Sequence, residues 1–417
     1  MSDSKSRALD SYRFLDLTDD KGFLCSKMLA DLGAEVIKVE QPGGDPSRNI
    51  GPFYHDIVHP EKSLYWFVYN ANKKGITINI KTSDGKQIFE RLVGTSDGII
   101  ESFPVGYMDE IGLGYSALSL LNPGIIMTSV TPFGQVVPYK NYKASSLVGL
   151  ALGGGVYLTG DDDRAPLYIS VPQAYLLASE QAAAGTMIAL YHRELSGEGQ
   201  QVDVSMYESV ILTTLNAIPL WELYHLILPR VGPYRVGLST TAKQRQTWQC
   251  KDGYVTFIVL GGVAGASTSR ALVEWMDSEG MANDFLKQMD WDAFDMVTAT
   301  QEVHNRLEEH VGKFFLRHTK AELYEGAIKR RIMLYPVSDI KDIAEDLQLK
   351  SRDFWIKIEY SELADFIISP GAFVKASETP CRMRYRAPLI GEHNEEIFQE
   401  LGISKSDMIM LKQAGAI

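Results

Sequence analysis

The sequence is poor in cysteine and lacks the short motifs that mark common catalytic sites. Its three cysteines, Cys25, Cys250 and Cys381, are far apart in a chain of 417 residues and form no CxxC pair. This spacing excludes a disulfide framework and favours a reducing cytoplasm. The patterns GxGxxG, GxxxxGK[ST], GxSxG and HExxH are all missing. No dinucleotide fingerprint, P-loop, serine-hydrolase turn or zinc-protease helix is therefore indicated.

Long apolar runs are also missing. The most apolar long stretch, residues 210–228, is interrupted by Asn216, Pro219, Glu222 and His225. A membrane-spanning helix needs about 20 largely apolar residues, so this stretch predicts a buried helix instead. The N-terminus has no apolar core of the kind found in signal peptides. Together these absences predict a cytoplasmic protein.

Positive charge is in deficit as well. The chain has 41 Lys and Arg against 53 Asp and Glu, a net charge of −12. A nucleic-acid backbone is therefore excluded as the main ligand. His304, His310 and His318 lie six and eight residues apart, which does not place them together on one helical face. The acidic run at residues 161–163 lacks the ligand ladder of a calcium loop, so no metal site is predicted.

What is present is a regular alternation of strand and helix patterns. Residues 12–17 read as a strand, 23–32 as a helix and 34–39 as a second strand. Gly33 fits the left-handed position that ends a helix. A unit of this length implies a right-handed crossover between two parallel strands.

The alternation continues along the chain. Further elements are predicted as strands at 76–80, 98–100, 125–130 and 201–204, and as helices at 83–93, 173–192 and 207–228, the last broken near Pro219. Several of these strands are apolar throughout, which is typical of a parallel sheet covered on both faces. The sequence therefore predicts an α/β fold.

Five blocks in the sequence resemble, in order and spacing, those of the class III CoA-transferases. They lie at residues 29–48, 69–80, 106–118, 192–210 and 386–402. The family includes formyl-CoA transferase, the carnitine-related CoA-transferases, α-methylacyl-CoA racemase and the two-subunit benzylsuccinate CoA-transferases. The resemblance covers nearly the whole chain and is weakest between about residues 220 and 333.

The resemblance implies a Rossmann-like large domain with a parallel sheet, a smaller α+β domain and an interlocked dimer. It places the first part of the large domain at residues 1–220 and the small domain with its linkers at 221–335. Residues 336–417 are then the C-terminal return to the large domain.

The resemblance also suggests contacts for coenzyme A. Lys73 and Lys74 match a basic pair of the family, and Ser102 and Phe103 match an Asn-Phe pair at a strand end. An ammonium group suits the phosphates of CoA. The alternative is that both lysines merely flank a buried strand in solvent. No cofactor is expected to bind tightly, and a CoA thioester is expected as the substrate of a complex.

The residue at the family's nucleophile position is a tyrosine. Counting back from Gly185 without gaps places Tyr175 where the family has its catalytic aspartate. That aspartate attacks the acyl-CoA thioester as a carboxylate. A phenol with a pKa near ~10 is almost wholly protonated at pH 7 and cannot replace it. Glu180 is five residues further along the helix, roughly 140° around its axis, so it cannot substitute. No catalytic residue is therefore assigned to this chain.

Three further positions depart from the family. The first loop, residues 19–23, begins with two carboxylates where the family has small apolar residues. Glu110 stands where formyl-CoA transferase has an arginine, and Ser145-Ser146 replaces a pair that usually ends in aspartate. Asp19, Asp20 and Glu110 are expected to weaken CoA binding by repelling its phosphates.

These features predict the non-catalytic subunit of a heteromeric class III CoA-transferase. Within the family, the chain resembles most the aspartate-lacking subunit that works on benzylsuccinate in anaerobic toluene degradation. The resemblance implies CoA transfer from succinyl-CoA to an aryl-substituted dicarboxylate, with a paralogous subunit supplying the aspartate. One alternative is a CoA-ester isomerase, dehydratase or lyase of the same fold. Another is a CoA-thioester-binding protein without turnover.

Overall fold

A computed structural model describes residues 7–236 and 242–417 and divides them into two compact units. The larger unit contains the described residues up to Val156 together with Tyr168–Glu222 and Leu347–Ile417. The smaller unit contains Tyr157–Leu167 and the described residues of Leu223–Asp346.

The first part of the larger unit alternates strands with helices, as the sequence predicts. Its strands are β1 (Arg13–Leu17), β2 (Glu35–Glu40), β3 (Lys73–Thr77), β4 (Gly98–Glu101), β5 (Ile126–Thr131) and β6 (Gln201–Ser205). Its helices are α1 (Phe23–Asp31), α2 (Leu64–Asn70), α3 (Ser83–Val93), α4 (Tyr107–Glu110), α5 (Tyr115–Leu121), α6 (Ser146–Leu152), α7 (Gly155–Leu158), α8 (Gln173–Ser196), α9 (Met206–Ile211) and α10 (Ile218–Tyr224). Short 3-10 turns lie at Pro46–Asn49, Tyr54–Asp56 and Leu212–Thr214.

The six strands form one parallel sheet in the order β3-β2-β1-β4-β5-β6. This is the strand order of dinucleotide-binding doubly wound folds, with the order reversing between β1 and β4. Two apolar clusters cover the two faces, one built around Leu15 and Ile37 and the other around Phe14 and Val36. Since neighbouring strand residues point to opposite faces, both faces of the sheet are buried. The prediction of a Rossmann-like parallel sheet is confirmed.

Helix ends follow local signals in the sequence. Gly33, just after α1, has a φ of 114°, and Gly197 caps α8 with a φ of 79°. Both values lie in a region that glycine adopts without steric cost, so each glycine allows the chain to turn back into the sheet. The turn at Gly197 leads α8 directly into β6.

The smaller unit has its own core. It contains strands β7 (Tyr234–Val236), β8 (Lys243–Arg245), β9 (Thr247–Cys250), β10 (Gly253–Phe257) and β11 (Leu334–Pro336), and helices α11 (Gly262–Ser278), α12 (Asp284–Lys287), α13 (Gln301–Phe315), α14 (Lys320–Arg330) and α15 (Ile340–Glu345). The antiparallel sheet β11-β10-β9 packs with these helices around Trp248, Trp275 and Phe314. This mixture of strands and helices agrees with the smaller α+β domain that the family resemblance implies.

The chain then completes the larger unit. This part contains α16 (Leu347–Ser351), strands β12 (Trp355–Tyr360) and β13 (Asp365–Pro370), a 3-10 turn (Ser361–Leu363), and helices α17 (Asn394–Glu400) and α18 (Lys405–Gln413). The end of the chain is tied to β3, because His393 donates its backbone N–H to Gly75 and Asn394 accepts one from Thr77.

Two local expectations are wrong. The third strand is Lys73–Thr77 rather than residues 76–80, because β3 pairs with β2 from Lys73 onward and the apolar alternation runs past the strand end. Residues 207–228 do not form one long helix. They contain α9, a 3-10 turn and α10, which begins just before Pro219, where the missing N–H of proline is tolerated.

The small domain proposed at residues 221–335 shares most of its length with the smaller unit. That unit also includes residues 336–346, where Val337 donates its N–H to the carbonyl of Tyr254. It further includes Tyr157–Leu167, because the Arg230 guanidinium binds the backbone carbonyls of that segment. Such side-chain-to-backbone contacts leave no periodic signal in a sequence.

Candidate functional site

A cavity of about 910 Å³ opens at the carboxyl-terminal edge of the parallel sheet. The ends of β1, β2 and β4 contribute Leu17, Glu40 and Ser102 to its wall. Open α/β sheets bind ligands outside the carboxyl ends of their strands, where the strand order reverses. Both the position and the size of the cavity suit a nucleotide-containing ligand.

The acidic residues in the cavity wall are already paired with cations. The pairs are Asp19 with Lys21, Glu40 with Arg48 and Asp45 with Lys38. Glu40 and Arg48 form two hydrogen bonds of 2.6 and 2.7 Å, the bidentate geometry typical of strong pairs. These carboxylates therefore leave little net negative charge for a ligand to meet.

The cavity wall also contains three lysines besides Lys21. Lys81, Lys140 and Lys143 line the cavity, and no ion pair involves them within the described part of the chain. Tyr107 and Tyr142 line the same wall, and Lys81 lies 5.9 Å from the Tyr107 ring centre. Ammonium groups beside aromatic rings can bind phosphates and stack a base.

Lys73 lies inside the fold and does not line the cavity. Its Nζ is fully buried and donates to Asp16 Oδ2 and Asn70 Oδ1, both at 2.9 Å. Burial lowers the pKa of Lys73 to about 8, although Asp16 acts to raise it. Burial would raise the pKa of Asp16, but Lys73 and Lys38 lower it to about 2. Lys73 thus neutralises a buried carboxylate of β1.

Lys74 is half-exposed at the other face of β3. It donates to Glu35 at 2.5 Å and to Glu396 at 2.8 Å. Like Lys73, it is not among the residues that line the cavity. Ser102 and Phe103, in contrast, both lie in the cavity wall.

Ser102 connects the end of β4 to the loop after β1. Its hydroxyl donates to Asp19 Oδ1 at 2.7 Å and accepts the Asp19 backbone N–H at 2.9 Å. Next to it, Glu101 accepts the Phe103 N–H at 2.7 Å. Burial raises the pKa of Glu101 to about 7. The turn that carries Ser102 and Phe103 is therefore fixed by two carboxyl groups.

Tyr175 sits in the first turn of α8, half-buried against the core. Burial and the nearby carboxylate of Asp20 raise its pKa, so the phenol is protonated at neutral pH. The Ser146 backbone lies within hydrogen-bonding reach of its hydroxyl. Burial, followed by Asp20, also raises the pKa of Tyr65, whose ring packs at a tilt against Tyr69 with 4.7 Å between ring centres. Tyr175 and Tyr65 are therefore neutral phenols at neutral pH, with the carboxyl group of Asp20 nearby.

The serine pair at the start of α6 is structural. Ser145 is exposed, while Ser146 is buried and its Oγ accepts hydrogen bonds from the Tyr168 hydroxyl and the Ala174 N–H, both at 3.3 Å. Ser146 therefore links α6 to the start of α8. A hydroxyl used in this way does not supply a general base.

The carboxylates expected to repel CoA occupy different places. Among Asp19, Asp20 and Glu110, only Asp19 lines the cavity, and Lys21 pairs with it. Glu110 is exposed on α4. Glu180 is exposed on α8, away from the half-buried Tyr175, so it does not replace the missing aspartate.

Sequence reasoning missed the three cavity lysines. Lys140 and Lys143 follow β5 in a loop rich in tyrosine, and Lys81 follows β3. The available signal was that each lysine comes shortly after a predicted parallel strand, because all such strands end at the same edge of the sheet.

Residues 7–236 and 242–417 contain no group of three or more His, Cys, Asp or Glu side chains placed to hold a metal ion. Within the same ranges, every helix is too short or too polar to cross a membrane.

Comparisons with known proteins agree with this architecture. A relative from Thauera aromatica, succinyl-CoA:(R)-benzylsuccinate CoA-transferase subunit BbsE, is 34% identical and the match covers 97% of each chain. A succinyl-CoA–D-citramalate CoA-transferase from Chloroflexus aurantiacus is 32% identical, again over 97% of each chain. A solved structure of a CaiB/BaiF family protein from Brucella suis matches with a TM-score of 0.82 at 25% identity, covering 95% of this chain and 100% of that one.

The family model for CoA-transferase family III matches residues 9–394. That range includes β1 to β6, the cavity wall up to Ala144 and Tyr175. This chain therefore belongs to CoA-transferase family III.

Proposed function

We propose that this chain is the non-catalytic subunit of a heteromeric CoA-transferase, with a paralogous subunit supplying the nucleophilic aspartate. The observation that carries the proposal is the neutral phenol of Tyr175 at the position of the family's nucleophile. The match to a relative named as a subunit of a CoA-transferase supports it. The family's interlocked arrangement gives such a chain a use, because it would complete a partner's fold without reacting itself.

The chemistry then belongs to the partner. Its carboxylate attacks the thioester carbonyl of the donor, giving a mixed anhydride and CoA thiolate. The thiolate attacks the enzyme's acyl carbon, releasing the donor acid and leaving an enzyme thioester. The acceptor carboxylate attacks that thioester, which gives a second mixed anhydride and releases CoA thiolate. The thiolate then attacks the acceptor's carbonyl carbon, which forms the product thioester and frees the aspartate. Each step needs an ionised carboxylate or thiolate, which a phenol with a raised pKa does not provide.

The substrates proposed are succinyl-CoA as donor and an aryl-substituted dicarboxylate such as benzylsuccinate as acceptor. The name of the Thauera relative supports this pair. The three cysteines of this chain are buried free thiols, which fits a cytoplasmic enzyme.

The cavity is proposed to hold the nucleotide end of CoA without turnover. Lys81, Lys140 and Lys143, which form no ion pair among the described residues, supply positive charge for phosphates, and Ser102 and Phe103 form part of the wall. Lys73 and Lys74, suggested by the resemblance, have ion-pair partners within the fold and would act on the ligand only indirectly.

The test is an assay of CoA transfer from succinyl-CoA to benzylsuccinate. The pure chain is expected to show no transfer, and its complex with an aspartate-bearing paralogue is expected to be active. Robust turnover by the chain alone would overturn the non-catalytic assignment. If the complex turned over other acids but not benzylsuccinate, only the proposed acceptor substrate would be overturned.

A further inference from the structure

Glu101 is a buried carboxyl group beside the cavity that the proposed chemistry does not use. It is the last residue of β4 and is only 3% exposed. The next two residues, Ser102 and Phe103, line the cavity, whereas Glu101 does not. Glutamate is seldom fully buried unless it is paired, and a buried ionisable group next to a ligand site is a candidate for a functional role.

The contacts of Glu101 hold the part of the cavity wall that β4 supplies. Its Oε2 accepts the backbone N–H of Phe103 at 2.7 Å. Ser102 donates its hydroxyl to Asp19 Oδ1 at 2.7 Å and accepts the Asp19 N–H at 2.9 Å. The Phe103 ring packs at a tilt against Tyr107 on α4, with 4.7 Å between ring centres. The position of this turn against a ligand therefore depends on Glu101.

A row of polar residues crosses the sheet at the level of Glu101. Glu101 pairs in register with Ser129 on β5, and Ser129 pairs with Asp203 on β6. Side chains paired in register point to the same face of a sheet. Ser129 is fully buried, and its hydroxyl has no well-formed hydrogen bond among the described residues. Asp203 accepts the backbone N–H of Gln135 at 2.8 Å, in the loop after β5 that carries two of the cavity lysines.

The two charged groups that act most strongly on Glu101 are carboxylates. Burial raises the pKa of Glu101 to about 7, although the hydrogen-bond donors beside it act to lower it. Asp203, on β6, and Asp19, in the loop after β1, both act to raise it. Lys21 pairs with Asp19, and the titratable group of α4 beside the turn is the Tyr107 phenol. An ionised Glu101 would thus add a third carboxylate charge at this edge of the sheet.

We propose that Glu101 is a positioning residue that couples the binding of a polyphosphate such as CoA in the cavity to the uptake of a proton by its own carboxyl group. The inference rests on the proposed function, which assigns the cavity to the nucleotide end of CoA. Phosphates in the cavity add negative charge near Glu101, and like charges favour its neutral form. The Phe103 N–H keeps its acceptor in both states, because a protonated carboxyl group retains an accepting oxygen. The coupling is therefore electrostatic and leaves the turn in place.

Affinity for the ligand should depend on pH through this linkage. In the free chain Glu101 loses its proton near pH 7, because its pKa is about 7. With the ligand bound it loses the proton at a higher pH. Affinity is therefore highest below pH 7, falls as the pH rises through this window and levels off above it. A rise of about one pH unit in the pKa on binding corresponds to an affinity that falls about 10-fold across the window.

The experiment is calorimetry of CoA binding to the full chain between about pH 6 and pH 8.5, in two buffers that differ in ionisation enthalpy. The affinity of the wild-type chain should fall about 10-fold more than that of Glu101→Gln, with uptake of about half a proton near pH 7.5. The titration of the CoA phosphates appears in both proteins and cancels. The matched control, Glu325→Gln, removes the same charge from α14, where the side chain is 71% exposed, and should keep the wild-type profile.

Ser129→Ala tests the same coupling without changing a charge. Because the Ser129 hydroxyl acts to lower the pKa of Glu101, its removal should move the pH profile of CoA binding to higher pH by about 0.5–1 unit. Equal pH profiles for the wild-type chain and Glu101→Gln, with equal proton uptake, would overturn the coupling while CoA binding stands. A wild-type chain that binds no CoA at any of these pH values would instead overturn the proposed nucleotide site, and the coupling with it.

Discussion

Tyr175 is the residue on which the proposed absence of catalysis in this chain depends. Its ring packs against the core beside α1 and α6, and its hydroxyl lies near the Ser146 backbone. Both the burial and the nearby Asp20 keep it protonated. The side chain of Ser146 is used for hydrogen bonds to Tyr168 and Ala174 within the fold.

Replacing Tyr175 by aspartate is therefore expected to leave the chain inactive. Tyr175→Asp should lose about 2–4 kcal/mol of stability, since it opens space in the packing and introduces a charge there. The assay uses a complex whose partner has lost its own aspartate, with melting temperature measured in parallel. Tyr175→Phe, which keeps the ring, should cost only about 1 kcal/mol. Substantial transfer by the Tyr175→Asp complex at unchanged stability would show that the tyrosine alone silences the site.

Glu101 gives the folded protein a pH-dependent stability. Burial raises its pKa from 4.5 to about 7, so between those values the folded state holds a proton that the unfolded chain releases. Stability should therefore fall as pH rises through this window, by about 3 kcal/mol in total from this group, and level off above it. Glu101→Gln can still accept the Phe103 N–H and should remove that contribution.

Chemical denaturation at pH 5 and pH 8 tests this expectation. The two proteins should be about equally stable at pH 5, and the glutamine variant should be the more stable at pH 8. If the two proteins differed in stability by the same amount at pH 5 and at pH 8, the Glu101 carboxyl group of the folded protein would be ionised over this whole range.

At the scale of elements, two groups of lysines have different roles. Lys73 is on β3 and neutralises Asp16 of β1 inside the fold, whereas Lys140 and Lys143 stand at the cavity rim without ion-pair partners in the described chain. A buried pair loses stability when one member is removed, because the other charge stays buried. An exposed lysine at a ligand site affects mainly binding.

Lys73→Met is expected to destabilise the protein by about 3–5 kcal/mol. Lys140→Ala and Lys143→Ala should each weaken CoA binding about 5-fold with little change in melting temperature. Calorimetry of CoA binding and thermal unfolding of the three variants separate these effects. A stable Lys73→Met protein with selectively lost CoA binding would restore Lys73 as a direct ligand contact.

The observed helices and strands show which sequence signals were sufficient to predict secondary structure. The helix at residues 83–93 and the strand-helix-strand unit around Gly33 were predicted closely, because periodicity and a helix-ending glycine agree there. The third strand was predicted too far along the chain, because Lys73 and Lys74 at its start resemble exposed residues. Only the folded structure shows that Lys73 is buried in an ion pair with Asp16. Pairings between distant residues of this kind are fixed only by the tertiary fold.

At the scale of the whole molecule, the parallel sheet was predictable and the ligand wall was only partly so. Ser102 and Phe103, predicted as CoA contacts, lie in the cavity wall just after the end of β4. Lys81, Lys140 and Lys143 lie in loops that are distant in the sequence and meet only at the cavity. The net charge of the cavity wall depends on ion pairs such as Glu40 with Arg48, which the sequence does not reveal. Glu110, which was expected to repel CoA, is exposed on α4 and does not line the cavity, so its effect on CoA binding stays a prediction.

The central claim is that the covalent step occurs on the partner and never on this chain. The most direct measurement is to mix the complex with succinyl-CoA, trap the enzyme thioester with borohydride, and locate the resulting alcohol by peptide mass spectrometry. Reduction converts the thioester-bearing carboxyl group into a primary alcohol, which marks the nucleophile permanently. We expect one modified aspartate, in the paralogous subunit, and no modification of this chain. A modified carboxyl residue in this chain, at Asp20 or elsewhere, would contradict it.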